Sequence, residues 1–309
     1  MTNRLRDCAV CKSAERITLY QPIRSPGPVV RCRRCGFVYI ADIQQDDAII
    51  DDGAVTQHVE ERLLHSRDLN DLVGCWELTQ LPAKRAEAPV LRCNAQDALQ
   101  HILPLRQPPG RLLDFGCGWG FFLGAAREQG WEIHGLEPLP GHALHARAQF
   151  GANVITDILR ADTFPPNSFD VITSFQVFEH LPDPSGNLAI LQRALKPGGV
   201  IMIEVPNIDT WSVRLLGKRH RHFVHDHLNF FSVSTLRSLL TRHGFRAVDS
   251  YFPTRRMSVR YLMTAWGGRY LPENILRLSR EGLQKMGLWE RVIRLNMGDI
   301  VAVVGQKPQ

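Results

Sequence analysis

The stretch RLLDFGCGWGFFLGAAREQGWEIHGLEP, residues 111–138, decides the fold. An apolar run, RLLDF, leads into a D-x-G-x-G-x-G pattern made by Asp114, Gly116, Gly118 and Gly120. A helical pattern follows, then a second apolar run that ends at a single acid, Glu137. Glycines let a backbone approach a ligand closely, and the start of the following helix offers free N–H groups. A dinucleotide-binding turn needs G-x-G-x-x-G to seat a pyrophosphate. Here the third glycine comes one residue early. Asp114, inside the motif, would repel a phosphate and suits an ammonium group.

Glu137 stands 23 residues after Asp114, at the end of the second strand. A carboxylate there accepts both hydroxyls of a ribose. A ribose, an amino-acid ammonium and no phosphate together describe S-adenosylmethionine (SAM).

Toward the C-terminus, strand and helix patterns alternate. The strand patterns are WEIHGLE (131–137), ANVIT (152–156), FDVITSF (169–175), GVIMIEV (199–205), FRAVDSYF (245–252) and DIVAVVGQ (299–306). The helical patterns are GFFLGAAREQG (120–130), GHALHARAQFG (141–151) and SGNLAILQRALKPGG (185–199). Apolar strands joined by short helical crossovers predict an α/β fold. Residues 111–309 are expected to form a Rossmann-like, seven-stranded, mostly parallel sheet with helices on both faces. A helical excursion over about 253–298 lets the last strand pair place one antiparallel strand at the sheet edge. No internal repeat or low-complexity segment interrupts this pattern.

Toward the N-terminus, residues 1–40 carry two C-x-x-C pairs, Cys8/Cys11 and Cys32/Cys35. Each pair suits a tight turn that brings two sulfurs to one ion, and four thiolates make a closed tetrahedral site for structural Zn²⁺. VVRCRRCGFVYI reads as strand, knuckle and strand, a zinc ribbon. Residues 41–110 are expected to be a helical linker or lid. DDAIIDD is acidic, VTQHVEERLLHSRDLNDLV has a helical pattern, and Leu91, Ala95, Leu99 and Ile102 share one helical face.

Hydrophobic residues make up 44% of the 309 and charged residues 22%, as in an ordinary soluble globular protein. No apolar run reaches the roughly 18–20 residues of a bilayer span, and MTNRLRDCAV lacks the apolar core of a signal peptide. A cytoplasmic location is expected, with no membrane partner. Thiols there stay reduced, so paired cysteines favour metal over disulfides. The net charge of +6 is uneven, because residues 207–309 hold 17 Lys/Arg against 7 Asp/Glu. That basic third is either a solvated surface or a face for an anionic substrate.

LLDFGCGWG, GLEP, PPNSFDVITSFQVFEHLPDP and LQRALKPGGVIMIEVPN, in this order and spacing, resemble the successive motifs of class I SAM-dependent methyltransferases. The resemblance covers about 111–250. It implies that Asp114, Gly116, Cys117, Gly118 and Gly120 line the methionine part of SAM, and that Glu137, followed by Pro138, holds the ribose. Asp157 and Ile158 would lie at the adenine, and Phe175 and Gln176 at the mouth of the cofactor site.

Methyl transfer is a displacement that needs alignment, and a hydroxyl acceptor needs a base. Two candidates follow. In FEHL, Glu179 and His180 are expected at the start of a helix after the fourth strand. In RHRHFVHDHLNFFS (219–232), His225, Asp226 and His227 crowd one loop together with His220 and His222, with Asp226 the expected orienter of a His227 base. Metal binding by this loop is the less favoured reading. A zinc ribbon followed by H-[DE]-H-x-x-x-F-S also resembles deoxysugar C-methyltransferases, in which His180, His225, Asp226 and His227 match active-site positions. Val224 stands where those enzymes carry a tyrosine, and the chain stops at 309 without their further domain. Both departures point to a ribbon-bearing relative that acts on another small molecule, in bacterial secondary-metabolite or sugar and polysaccharide biosynthesis. O-methylation is favoured, with N- and C-methylation open, in a monomer or homodimer.

The competing reading is an RNA methyltransferase gripping phosphates through Arg31, Arg33 and Arg34 and the basic third. Residues 1–206 are net acidic, SFQVFEH is not the N-P-P-Y type of base-methylating motif, and no cysteine stands at a C5-pyrimidine nucleophile position. Nucleic acid is therefore not the expected partner. A third reading, a binding protein that has lost catalysis, is disfavoured by the intact cofactor motifs.

Overall fold

The computed structural model describes residues 6–21, 27–42, 76–224, 226–267 and 271–309. The acidic and helical patterns expected over 43–75, and His225, lie outside the described residues. In chain order the elements are β1 (Arg16–Tyr20), β2 (Val29–Cys32), β3 (Val38–Ile40), α1 (Trp76–Ile102), β4 (Arg111–Phe115), α2 (Phe121–Glu128), β5 (Glu132–Leu136), α3 (Pro140–Phe150), β6 (Asn153–Ile155) and β7 (Phe169–Phe175). There follow α4 (Pro184–Ala194), β8 (Leu195–Pro206), α5 (Trp211–Leu216), β9 (Asn229–Phe230), α6 (Val233–Arg242), β10 (Arg246–Tyr251), β11 (Arg255–Ser258), α7 (Glu273–Lys285), β12 (Val292–Leu295) and β13 (Ile300–Gln306).

Seven strands form the main sheet in the order β10-β13-β8-β7-β4-β5-β6. The pairs β4–β5, β4–β7, β5–β6 and β7–β8 are parallel, and β13 runs antiparallel to both its neighbours. Strand alternation splits the core between two faces. On one face Leu113, Phe115, Ile201, Ile203 and Val301 meet Leu188 and Leu191 of α4 and Leu236, Leu239 and Leu240 of α6. On the other, Leu112, Val171, Val200 and Met202 meet Ala95, Leu99 and Ile102 of α1, Leu123 of α2 and Ala143 of α3. Each such fully buried aliphatic side chain contributes about 1.5–3 kcal/mol.

Two expectations need correction. The antiparallel strand is not at the sheet edge: β13 sits between β8 and β10. Its VAVV core, 301–304, is buried, which requires cover on both faces and a partner on both sides, whereas the more polar β10 is half-exposed and takes the edge. Residues 253–298 are also not purely helical. β11 and β12 pair antiparallel, and α1 holds β11 through Asn94, whose amide donates to the Arg256 carbonyl (3.0 Å) and whose oxygen accepts from Arg256 N (2.9 Å).

The N-terminal strands make a second sheet, β1-β2-β3-β9. Its last strand comes from the histidine-rich segment, with Val38 paired to Phe230 and Tyr39 to Asn229. Phe230 and Phe231 are buried there, against the ribbon and the main core. Among the described residues, no helix is long and apolar enough to cross a membrane.

Candidate active site

The turn after β4 needs its glycines for three different reasons. All three have positive φ: +74° at Gly116, +51° at Gly118 and +79° at Gly120. A Cβ on Gly116 would stand 2.4 Å from Val177, and one on Gly120 2.6 Å from the Ala146 methyl. Those two glycines allow close packing. Gly118 faces open space, with nothing within 4 Å of where its Cβ would be, so it forms the floor of a cradle.

Glu137 closes that cradle. Its carboxylate is buried and accepts from Gly118 N (2.8 Å) and Leu139 N (3.0 Å), which ties the turn after β4 to the turn after β5. Asp114 lies deeper and accepts from the Thr173 hydroxyl at 2.7 Å. Burial lifts the Asp114 carboxyl to about 7, the Thr173 bond opposes the lift, and the nearby Glu137 charge adds to it. The Cys117 thiol points away from the cradle into the sheet, since a Cβ on Gly135 would meet its sulfur at 2.7 Å. Only the Cys117 backbone belongs to the turn. Pro138 follows Glu137 just before α3. Asp157 accepts from the backbone of Ile158 (2.7 Å) and pairs with Arg160.

At the end of β7, Phe175 packs on Phe122 with ring centroids 4.7 Å apart, and Gln176 takes a positive φ of 57°. The Gln176 amide donates to Glu204 (3.1 Å), which also pairs with Arg255. A cavity of about 420 Å³ opens beside Glu204, lined among others by His101, Tyr251, Arg255 and Arg294. The sequence signal for Glu204 is a charged residue inside GVIMIEV, an otherwise apolar strand, which marks a buried polar role.

Glu179 and His180 are not at a helix start. They form a turn, and α4 begins only at Pro184, capped by Asp183, which accepts from Gly186 N (3.0 Å). Pro184 sets the first helical position and keeps the preceding residues out of the helix. The histidine segment lies against this turn: Leu228 N and Asn229 N donate to the Glu179 carbonyl at 2.7 and 3.0 Å. The Asn229 amide donates to the Phe178 and Leu181 carbonyls at 3.0 and 2.7 Å. Arg6, from the ribbon, donates to the carbonyls of Ile40, Pro182 and Leu228 and to Asn229 Oδ1. Neither Arg6 nor Asn229 has a sequence signature, because each acts through partners far away in the chain.

His180 and His227 meet with ring centroids 4.8 Å apart and planes at 82°. Asp226 bonds to His180, whose Nδ1 lies 2.8 Å from the Asp226 carbonyl and 3.5 Å from its carboxylate, and its charge also acts on His227. His180 Nε2 points toward Glu179, 3.9 Å from Oε1. Burial lowers His227 to about 4, helped by the adjacent His180. Burial also pushes the Glu179 carboxyl well above the usual range, and the charges of Glu204 and Asp226 reinforce it. His220 and His222 are framework residues. His220 bonds to Ser212 (3.1 Å), and His222 Nε2 donates to the Asp299 carbonyl (2.9 Å).

In the ribbon, the sulfurs of Cys8 and Cys35 lie 3.5 Å apart and those of Cys11 and Cys32 3.4 Å, with all four within 4.8 Å of one another. An ion bonded to four sulfurs at ~2.3 Å spaces them by roughly 3.8 Å. The donor set and its spacing therefore fit a zinc-type ion.

Residues 89–250 match the family model described as "Methyltransferase domain". The ubiquinone biosynthesis O-methyltransferase of Idiomarina loihiensis is 31% identical over 140 residues, covering 41% of this chain and 57% of the relative. That of Saccharophagus degradans is 35% identical over 104 residues, covering 31% and 44%. The chain thus spans about half the length of the curated relatives it matches. Among solved structures, a methyltransferase in complex with the Haloferax volcanii Trm112 methyltransferase activator aligns with a TM-score of 0.50 at 17% identity, covering 75% of this chain and 97% of that one. That likeness concerns the fold.

Proposed function

The chain belongs to the methyltransferase-domain family and is a SAM-dependent methyltransferase, and from that premise we propose that it methylates a hydroxyl oxygen of a small-molecule acceptor. The observation that carries the choice of oxygen is the orientation of His180. Its Nδ1 donates to the Asp226 carbonyl, which leaves Nε2, beside Glu179 in the turn after β7, as the unprotonated nitrogen that can take a proton. The names of the O-methyltransferase relatives support the same choice.

The cradle fits the cofactor, because Gly118 leaves open the space that any side chain would fill. When bound, SAM supplies an electrophilic methyl group on a sulfonium. Gly116, Gly118 and Gly120, with the backbone of Cys117, seat the methionine part, and Asp114 faces its ammonium. Glu137 beside Pro138 takes the ribose hydroxyls. Asp157 and Ile158 border the adenine, and Phe175 and Gln176 the cofactor's mouth. The cluster of His180, Glu179 and His227 receives the acceptor's proton, with His180 Nε2 the nearest base and Asp226 its orienter; His225, which precedes Asp226 in the sequence, is proposed to serve with them. A base in place contributes roughly 10²–10⁴-fold.

Cys8, Cys11, Cys32 and Cys35 hold structural Zn²⁺ in a ribbon spanning 1–40. Residues 41–110 lead from it into the catalytic domain, 111–309, and their helix α1 packs on that domain's sheet. Biosynthesis of a bacterial metabolite or sugar in the cytoplasm, by a monomer or homodimer, completes the reading.

Methyl-labelled SAM incubated with bacterial small metabolites, total RNA and protein tests it. Label in the metabolite fraction, in an ether that mass spectrometry identifies, is expected. Label in RNA would overturn the reading and give the exposed Arg31, Arg33 and Arg34 of the ribbon a phosphate-binding role.

A further inference from the structure

Glu179 is 1% exposed, and neither of its carboxylate oxygens has a hydrogen-bond partner. Leaving such a group unpaired costs several kcal/mol, so buried carboxylates are found with donors, counter-charges or metals. No lysine or arginine reaches Glu179 among the described residues. The acids Glu204 and Asp226 stand near instead and deepen the negative potential. His227 repeats the anomaly, since its Nδ1 is also buried and unpartnered. The ring's hydrogen bond to the His222 backbone therefore falls to Nε2, and Nδ1 keeps its lone pair.

His180 completes the arrangement. The Asp226 carbonyl can only accept, so Nδ1 carries the proton and Nε2 is an unprotonated nitrogen beside Glu179. Backbone carbonyls orient metal-bound histidines in this way. One atom from each of Glu179, His180 and His227 lies within 4.8 Å of the others. An ion with bonds of about 2.1 Å spaces tetrahedral ligands by roughly 3.4 Å, so closure asks for shifts of no more than about 1.5 Å.

We propose that Glu179, His180 Nε2 and His227 Nδ1 bind a divalent transition-metal ion, separate from the four-cysteine site. Two imidazoles and one carboxylate suit Zn²⁺, Fe²⁺, Co²⁺ or Ni²⁺, whereas Mg²⁺ and Ca²⁺ take oxygen ligands. Three protein ligands leave open positions. The chemical class that fills them is the acceptor hydroxyl, and in this respect the inference rests on the O-methylation reading. Coordination lowers the pKa of a bound hydroxyl. The O–H bond breaks, the proton leaves to water, and the oxygen keeps the electron pair that forms its bond to the methyl carbon as the carbon–sulfur bond of the sulfonium breaks and its pair stays on sulfur, which leaves as a neutral thioether. His180 then acts as a ligand in place of a base.

The test uses the full chain with one equivalent of zinc at its cysteines, titrated with Co²⁺. One further equivalent is expected, with the weak visible absorption of nitrogen and oxygen ligation and without the intense thiolate charge-transfer band. Glu179→Gln and His227→Ala each weaken that binding at least about tenfold. SAM affinity, measured on the same samples, stays unchanged. It separates loss of the ion from misfolding and from failure of the cofactor reading, and His227→Gln replaces His227→Ala if the latter does not fold. Co²⁺ appearing only with the thiolate signature, or binding the variants as tightly as the parent, overturns the proposal.

Discussion

His180 and Asp226 meet through the backbone of the acid, not mainly through its carboxylate: Nδ1 is 2.8 Å from the carbonyl and 3.5 Å from the side-chain oxygen. A carbonyl survives any substitution of the side chain. His180→Ala is therefore expected to lower kcat by roughly 10²–10³-fold with SAM affinity unchanged. Asp226→Asn should cost less than about tenfold. Equal losses in the two variants would show that the Asp226 carboxylate, and not its carbonyl, governs the imidazole.

Asp114 makes stability and cofactor binding oppose each other. Its native pKa of about 7 lies above the ordinary 3.8, so the folded chain holds this proton where the unfolded chain has lost it. Between pH 4 and 7 the native state is then progressively destabilised as pH rises, by up to about 4 kcal/mol, and the effect is flat above 7. Asp114→Asn should raise the melting temperature at pH 8 and flatten its pH dependence. The same variant should bind SAM more weakly, and wild-type affinity should fall as pH drops below 7, because an ammonium favours the ionised acid. Thermal melts from pH 5 to 8 with calorimetric titration of SAM check both halves.

Alanine at two neighbouring glycines should fail in different ways. Gly120→Ala drives a methyl into Ala146 at 2.6 Å, so a loss of folded protein is expected. Gly118→Ala meets no atom, although its positive φ costs about 1–2 kcal/mol. It should fold with a modestly lowered melting temperature and lose SAM affinity, because the methyl fills the cradle. Unchanged SAM binding in Gly118→Ala would remove this turn from the cofactor site.

Metal at the ribbon should reach the active site through strand pairing. β3 pairs with β9, and Asn229 of β9 bonds to the carbonyls of the Glu179–His180 turn. Chelation or Cys32→Ser is expected to speed hydrogen exchange at Leu228 and Asn229 and to lower kcat, while SAM affinity changes little. Asn229→Ala, which strips donors from two buried carbonyls, should cost about 1–3 kcal/mol of stability. Exchange confined to residues 6–40 after chelation would break the link.

The glycine turn, the alternation of elements and the cysteine knuckles were legible because each depends on local chemistry. A positive φ selects glycine, a strand end places an acid, and a metal knuckle fixes a two-residue spacing. What stayed hidden depends on contacts distant in sequence. Two-residue β9 carries no periodicity of its own, and its place in the ribbon sheet follows from Tyr39 meeting Asn229. The antiparallel insertion of β13 depends on which of two C-terminal strands is apolar enough for the interior. His180 was legible as a candidate, but its tautomer is set by Asp226, 46 residues away.

The second sheet also has a consequence for synthesis on the ribosome. Its first three strands emerge early, but their fourth, β9, follows Tyr39 by 190 residues. At about 5–20 residues per second, β3 waits roughly 10–40 s for its partner. During that interval a short apolar strand shows an unpaired edge, which invites pairing with other nascent chains. Cysteine knuckles that close on an ion as soon as they emerge would hold that edge in a fixed, twisted shape until the rest of the enzyme arrives.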